Sequence, residues 1–274
     1  MSLSRNRDDF CYRHPKAESF VLCQRCGNTI CPECQIQAPV GFHCPDCSGT
    51  RKTSGLGGVF RRGGTRSVAL GTRPTATFVL LGIIVAVYLG QLLTGGFLTQ
   101  LFLYWPPLTA LEPWRMLTTM FVHSGSSVFH ILFNGYSLFI LGTLVERLIG
   151  PSRFVTLFLF SGFGGSVLVL LLSPTSAVVG ASGAIFGLFG ALFVIQRSFG
   201  GANAQLLIVL GLNLVMGFIV PGISWQAHIG GLITGAVVAN IMVKTRGEEP
   251  RRQRQRLALV AVGLVALTVV GVVV

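Results

Sequence analysis

Four polar side chains lie inside strongly apolar stretches of the 274-residue sequence: His130, Asn134, Ser182 and His228. Ionisable and amide side chains are costly within a lipid bilayer, so by default they indicate function. A serine hydroxyl is a weak nucleophile until a neighbouring base takes its proton, and His228 can be that base. We therefore predict that Ser182 and His228 form a nucleophile–base pair.

An oxyanion formed beside that pair would need hydrogen-bond donors. His130 and Asn134 stand four residues apart in HILFN, so they share one face of a helix. Ser182 follows a predicted loop, and free backbone N–H groups at a helix N-terminus stabilise negative charge. We expect His130, Asn134 and the Ser182 N–H to supply the donors. Because a serine in an apolar helix more often bonds back to a carbonyl oxygen, the prediction depends on the four residues sharing one depth.

Seven apolar stretches would position these residues. Hydrophobic residues make up 51% of the chain and charged residues 11%, whereas a typical soluble protein has about 25% charged residues. This composition excludes a secreted disulfide scaffold, a coiled coil and a disordered tail. A membrane-spanning helix needs about 20 apolar residues. The sequence predicts an all-α polytopic membrane protein with helices near 76–93, 128–149, 154–172, 177–195, 206–220, 227–243 and 257–274.

The fourth and sixth stretches would have to meet if Ser182 is to reach His228. Gly183-x3-Gly187 and Gly231-x3-Gly235 give these stretches faces of small residues, which allow two helices to approach closely in lipid. We therefore expect direct packing between the two helices.

Lysine and arginine residues predict the orientation. Most lie before the first stretch, between the second and third, after the fourth, and between the sixth and seventh, whereas the loops of the other side contain Arg115 alone. We therefore predict a cytoplasmic N-terminus, with His130, Asn134, Ser182 and His228 at one depth near the outer surface. The expected location is a bacterial plasma membrane.

Glu112 and Glu146 are the acidic residues of segment 74–247, and neither suits a catalytic triad. Glu146 lies 16 residues beyond His130, which is about 24 Å deeper at about 1.5 Å per residue. We expect it at the cytoplasmic end, near Arg147 or Arg153, and we predict a Ser–His dyad.

Residues 94–127 are too broken to span a bilayer and too apolar for a free loop. We predict an interfacial hairpin with aromatic side chains at headgroup depth. Within it, Glu112 is positioned to pair with Arg115. For His123 a structural hydrogen bond is favoured over a role in catalysis.

All seven cysteines precede residue 48, and together with His14 they form four pairs with metal-ligand spacing. Eight ligands fill two closed tetrahedral sites, and an odd number of cysteines argues against a disulfide framework. We predict two structural zinc ions and no catalytic cofactor, with His43 a surface residue. The predicted ligands are Cys11, His14, Cys23, Cys26, Cys31, Cys34, Cys44 and Cys47.

The order of these ligands resembles the B-box type of zinc finger, a cross-braced fold used for protein contacts. The resemblance implies that Cys11, His14, Cys31 and Cys34 hold one ion and that the other four ligands hold the second. A sequential pairing, the first four ligands and then the last four, is the alternative. We expect a zinc-binding module at 1–48 that contacts a cytoplasmic protein rather than nucleic acid, and a flexible basic linker at 49–73 that lies against lipid headgroups.

The segment 74–274 resembles the rhomboid family of intramembrane serine proteases. Four motifs in order carry the resemblance: Trp114-Arg115, HILFN, GASG and AHIGG. It implies a six-helix core plus a seventh C-terminal helix at 257–274. It also implies Ser182 as nucleophile and His228 as general base, with the oxyanion held by His130, Asn134 and the Ser182 N–H.

The same resemblance assigns supporting roles. Arg115 and Glu146 match positions that stabilise the family's structure. Phe186 stands where relatives often have tyrosine, so an aromatic ring can stack on His228 without a phenolic hydrogen bond.

The implied reaction is hydrolysis of a peptide bond in or just outside a substrate's transmembrane segment. A catalytically silent rhomboid-like protein that binds transmembrane partners is the alternative, although it would be expected to lack Ser182 or His228. A transporter that uses His130, Asn134 and His228 is a further rival, but its internal repeats and buried carboxylates are not evident in the sequence.

Overall fold

The computed structural model describes residues 9–37, 42–48, 74–198, 204–246 and 248–273. The chain divides into two units, residues 1–65 and residues 66–274. The predicted linker at 49–73 lies outside the described residues.

The first unit is small and contains little regular structure. A 3-10 turn at Pro32–Cys34 precedes two short antiparallel strands, β1 (Ile36–Gln37) and β2 (Phe42–His43), and helix α1 (Pro45–Ser48) follows. Its core consists of Ile30 and buried cysteines: Cys11, Cys23, Cys31, Cys34 and Cys44. A unit of this size cannot bury enough apolar surface to be stable by packing alone, so its stability depends largely on interactions of the cysteines.

The second unit is helical. Its main helices are α2 (Thr75–Leu93), α5 (Val128–Ser137), α6 (Thr143–Ile149), α7 (Pro151–Leu172), α8 (Ser182–Ser198), α9 (Ala204–Ile219), α10 (Trp225–Lys244) and α11 (Pro250–Val273), and a π-helical turn at Leu138–Gly142 joins α5 to α6. In the described part of the chain, five helical segments are long and apolar enough to cross a membrane: α2, α5–α6, α7, α10 and α11. Helices α8 and α9 are shorter, with 17 and 16 residues. The predicted all-α polytopic membrane fold is confirmed.

The apolar stretch at 177–195 is helical only from Ser182 onward, the residue that the sequence places near a helix N-terminus after a loop. The preceding residues are extended: the Val178 N–H donates to the Tyr104 oxygen at 2.8 Å, and the Tyr104 N–H donates to the Val178 oxygen at 3.1 Å. Gly180 then adopts φ 114°, a conformation that favours glycine and cannot continue into a helix.

Short helical pieces occupy the segment predicted as an interfacial hairpin. They are α3 (Phe97–Phe102), a 3-10 turn at Pro106–Leu108, α4 (Arg115–Thr118) and a 3-10 turn at Thr119–Phe121. The Arg115 guanidinium is buried, pairs with the Glu112 carboxylate as predicted, and donates to the carbonyl oxygens of Gln100 and Leu103. Arg115 therefore holds the segment together from within.

The buried Glu146 carboxylate closes the N-terminus of α2. It accepts hydrogen bonds from the Ala76 N–H at 2.9 Å, the Thr77 N–H at 2.7 Å and the Thr77 hydroxyl at 2.7 Å. The hydrogen bonds described for this carboxylate all go to α2, and none goes to Arg147 or Arg153, near which it was expected. A helix N-terminus carries unpaired N–H groups and partial positive charge, which a carboxylate satisfies without an arginine.

Glu146→Gln is expected to lower the free energy of unfolding by about 2 kcal/mol, because charge-assisted hydrogen bonds are lost and an amide NH2 then faces N–H donors. Thermal unfolding in detergent micelles measures the change. The control is Glu249→Gln, which alters an exposed carboxylate. Equal unfolding temperatures for the two variants would contradict the role given to Glu146.

Candidate active site and metal clusters

Helices α8 and α10 make the most extensive helix contact of the second unit. Glycines form it on both sides: a Cβ atom on Gly231 would overlap the Gly183 carbonyl oxygen, and one on Gly235 would overlap the Gly187 carbonyl oxygen. A Cβ on Gly187 would lie 3.0 Å from the Gly231 oxygen. The two small-residue faces predicted from the sequence therefore meet backbone to backbone.

This contact brings Ser182 and His228 to one level on facing helices. A Cβ on Gly183, the residue after Ser182, would lie 3.1 Å from the oxygen of Ala227, the residue before His228. Phe186, one turn below Ser182 on α8, stacks on the His228 imidazole with ring centroids 4.0 Å apart and an interplanar angle of 10°. Ser182 is the first residue of α8, so its backbone N–H has no acceptor within the helix.

His130 and Asn134 reach the same region from α5. A Cβ on Gly180, two residues before Ser182, would lie 2.7 Å from His130 Nε2 and 3.9 Å from Asn134 Nδ2. The Asn134 amide also donates to the His130 carbonyl oxygen at 2.8 Å. Both predicted oxyanion donors therefore point toward the chain that leads into Ser182.

The imidazole nitrogen Nδ1 of His228 faces α9. A Cβ on Gly217 would lie 3.3 Å from His228 Nδ1, which is buried and has no hydrogen-bond partner among the described residues. Stacking on Phe186 and the approach of the α9 backbone at Gly217 therefore orient this imidazole, and no carboxylate among the described residues takes part.

Two predicted site residues lie outside this cluster, as their supporting roles imply. Arg115 is committed to Glu112 and to carbonyl oxygens of the 94–127 segment, and Glu146 is committed to the start of α2. For His123, the expected structural role agrees with an interaction between its ring and the Phe121 backbone, although neither ring nitrogen makes a well-formed hydrogen bond among the described residues; the ring also meets His130 edge-on.

Sequence reasoning missed two glycines beside the site, Gly180 and Gly217. Gly180 and Gly217 matter through the space they leave beside His130 and His228, which residue type alone does not reveal. Sequence reasoning also passed over Gln91, a buried amide near the end of the first apolar stretch, where a polar side chain is unremarkable.

The first unit contains two groups of metal-ligand side chains. One comprises Cys11, His14, Cys31 and Cys34, the other comprises Cys23, Cys26, Cys44 and Cys47, and within each group the ligand atoms lie within 4.8 Å of one another. These are the cross-braced groups that the B-box resemblance implies. Both groups could hold a metal ion.

Distances within the groups suit a tetrahedral ion. His14 Nδ1 lies 3.2 Å from Cys31 Sγ and 3.4 Å from Cys34 Sγ, and the Sγ atoms of Cys26 and Cys44 are 3.7 Å apart. Two sulfur ligands, each about 2.3 Å from one tetrahedral zinc ion, are about 3.8 Å apart. The donor set and its spacing therefore fit zinc.

Each group contains a thiol that ionises readily. Burial raises the pKa of Cys11, but the backbone N–H groups of Cys31, Arg13 and His14 stabilise the thiolate and lower this pKa to about 6. The pKa of Cys23 is likewise about 6, because backbone N–H groups outweigh its burial. The thiolate is the form that binds a metal.

Residues 110–245 match the rhomboid domain family. The chain is 38% identical over 133 residues to "Rhomboid protease GluP" of Bacillus subtilis. The aligned region covers 47% of this chain and 26% of that protein. It is 35% identical over 141 residues to "Putative rhomboid protease YdcA" of the same bacterium. That alignment covers 49% of this chain and 70% of that protein. It is 37% identical over 139 residues to "RHOMBOID-like protein 6, mitochondrial" of Arabidopsis thaliana. That alignment covers 48% of this chain and 44% of that protein. The chain thus spans less than half the length of GluP and of the plant protein.

Gly231→Ala is expected to destabilise the second unit by about 1–3 kcal/mol or more, since the new methyl group would overlap a backbone oxygen of α8. Thermal unfolding in detergent micelles measures the loss. Gly263→Ala on α11 is the matched control, because a Cβ there meets nothing within 4 Å. If the two variants unfold at the same temperature, α8 and α10 do not pack as described.

Proposed function

The chain belongs to the rhomboid family, and we propose that residues 74–274 are an intramembrane serine endopeptidase that cleaves transmembrane substrate proteins. The observation that carries this proposal is the close approach of α8 and α10 beside Ser182 and His228, where Gly183 packs against Ala227. His130 and Asn134 lie beside Gly180, two residues before Ser182. A serine, an imidazole and hydrogen-bond donors are the groups that acyl transfer needs.

In the proposed reaction the Ser182 oxygen attacks the carbonyl carbon of the scissile peptide bond while His228 takes the hydroxyl proton. The negative charge on the carbonyl oxygen is stabilised by the Ser182 N–H and by the side chains of His130 and Asn134. The C–N bond then breaks, and His228 returns its proton to the leaving amine. A water molecule hydrolyses the resulting ester with His228 again as base, which releases the acid and regenerates Ser182.

Phe186 and Gly217 support this assignment of the base. Since Nδ1 of His228 faces Gly217, the other ring nitrogen is the one available to Ser182. The stacked Phe186 ring restricts rotation of the imidazole, which a carboxylate does in a triad. We therefore propose a dyad rather than a triad.

Substrate and orientation follow from the membrane setting. A helical substrate conceals its carbonyl groups, so it must unwind locally before attack. The distribution of lysine and arginine favours a cytoplasmic N-terminus and a site near the outer surface, where water can reach it.

Ser182→Ala and His228→Ala are each expected to reduce cleavage of a model transmembrane substrate by at least about 10³-fold, because nucleophile and base act as a unit. Cleavage is measured with purified protein in lipid vesicles. Ser161→Ala is the matched control. Ser161 is a buried serine of α7, and among the described residues its hydroxyl donates only to the Leu157 carbonyl oxygen of the same helix. Equal cleavage by all four proteins would remove the protease assignment and favour a silent, partner-binding protein.

For the first unit we propose two structural zinc ions held by the two cross-braced groups. Zinc would supply folding free energy to a unit that has little apolar core. All four ligand positions in each group are protein side chains, so neither ion would have an open position for catalysis. The resemblance to B-box fingers favours a cytoplasmic protein partner.

The full-length chain is expected to contain about two zinc ions by elemental mass spectrometry. Cys11→Ser/Cys34→Ser removes two ligands of one group and should leave one ion, whereas Cys11→Ser/Cys23→Ser damages both groups and should leave none. The sequential pairing predicts the reverse order for the two double variants. That reverse order, or a wild-type chain without zinc, would contradict the assignment.

A further inference from the structure

Gln91 is a buried amide near the end of the membrane-spanning helix α2, and all its polar atoms are used. Its Nε2 donates to the Thr99 hydroxyl at 2.6 Å and to the His123 carbonyl oxygen at 2.7 Å, and its Oε1 accepts from the His123 N–H at 3.0 Å. A backbone N–H only donates and a carbonyl only accepts, so one orientation of the amide satisfies both. Gln91 therefore clamps the His123 backbone from both sides.

The side chain of His123 is fully buried, and its imidazole ring contacts the ring of His130. The ring centroids are 5.2 Å apart with an interplanar angle of 63°, an edge-on arrangement. The His123 ring also interacts with the Phe121 backbone, but neither ring nitrogen makes a well-formed hydrogen bond among the described residues. The backbone that Gln91 holds therefore contributes directly to the position of the ring.

The next residue fixes the protonation of His130. The Ser124 N–H donates to His130 Nδ1 at 3.2 Å, so Nδ1 is an acceptor and the neutral ring carries its proton on Nε2. Nε2 is the atom that faces Gly180, two residues before Ser182. The backbone at 123–124 thus determines which nitrogen of His130 can donate toward Ser182.

We propose that Gln91 is a positioning residue for the oxyanion site: by clamping the His123 backbone, it holds the His123 ring and the Ser124 N–H against His130 and keeps the His130 Nε2–H directed toward Ser182. The proposal rests on the proposed function for its catalytic consequence. Its structural part, the orientation and tautomer of His130, stands independently.

Burial of an amide near the end of a lipid-spanning helix has a simpler explanation, namely that Gln91 ties α2 to the neighbouring segment through Thr99 and His123. The two explanations differ in what they predict for His130. A structural tie affects the stability of the fold and leaves the state of a folded His130 unchanged, whereas a positioning residue alters that state in the folded protein.

The first test is the 15N NMR spectrum of the full-length chain labelled at histidine, in lipid nanodiscs. His130 is identified by the signals that disappear in His130→Ala. In wild type we expect a single Nε2–H tautomer; in Gln91→Met, which keeps the side-chain volume but has no amide, we expect exchange between tautomers. Ser166→Ala is the matched control, since it removes one buried hydrogen bond, to the Met116 oxygen at 2.7 Å, away from the histidines. Unchanged His130 signals in Gln91→Met would overturn the proposal.

The second test is a double-mutant cycle on cleavage. Gln91→Met is expected to lower kcat by roughly 10- to 100-fold with little change in KM, because a small displacement of a catalytic group weakens the transition state rather than substrate binding. In a His130→Ala background the same substitution should have little further effect. Independent, multiplicative losses would overturn the proposal. If the wild type cleaves no substrate, the proposed function fails, and the NMR test still decides the role of Gln91.

Discussion

The contact between α8 and α10 is the constraint on which the rest of the membrane unit depends. Gly183 and Gly187 on one helix meet Gly231 and Gly235 on the other so closely that a single methyl group would overlap a backbone oxygen. In lipid, helices gain little from burying apolar side chains against each other, so close backbone packing must supply the specificity. This packing fixes the level at which the residues just above each glycine face one another.

The geometry above that contact explains how the proposed site functions without an acidic residue. Ser182 begins α8, which leaves its N–H free, and His228 is held by the Phe186 ring and the α9 backbone. The acidic residues of the helical core lie elsewhere: Glu146 caps α2 and Glu112 pairs with Arg115. Charged groups therefore stabilise the surrounding helices, whereas ring stacking and neutral hydrogen bonds position the side chains of the proposed site.

The polar residues of the proposed site stand out in the sequence because their types conflict with an apolar environment. The structure places His130 and Asn134 beside the chain that leads into Ser182, and His228 on the helix that packs against α8. The sequence did not predict what depends on the relation between distant elements. The partner of Glu146 is a helix N-terminus 69 residues away in the chain, and Val178, just before α8, pairs with Tyr104 from a separate segment. For the metal groups, spacing identified the eight candidate ligands, but the fold is what favours cross-braced over sequential grouping.

The most direct test of the central claim is to treat the protein in lipid with a serine-reactive fluorophosphonate and to map the adduct by mass spectrometry. The account predicts one adduct, on Ser182, formed in wild type and lost in His228→Ala, because only a serine with an adjacent base and oxyanion donors reacts. An adduct on another serine, or equal labelling of Ser182 when His228 is absent, would contradict it.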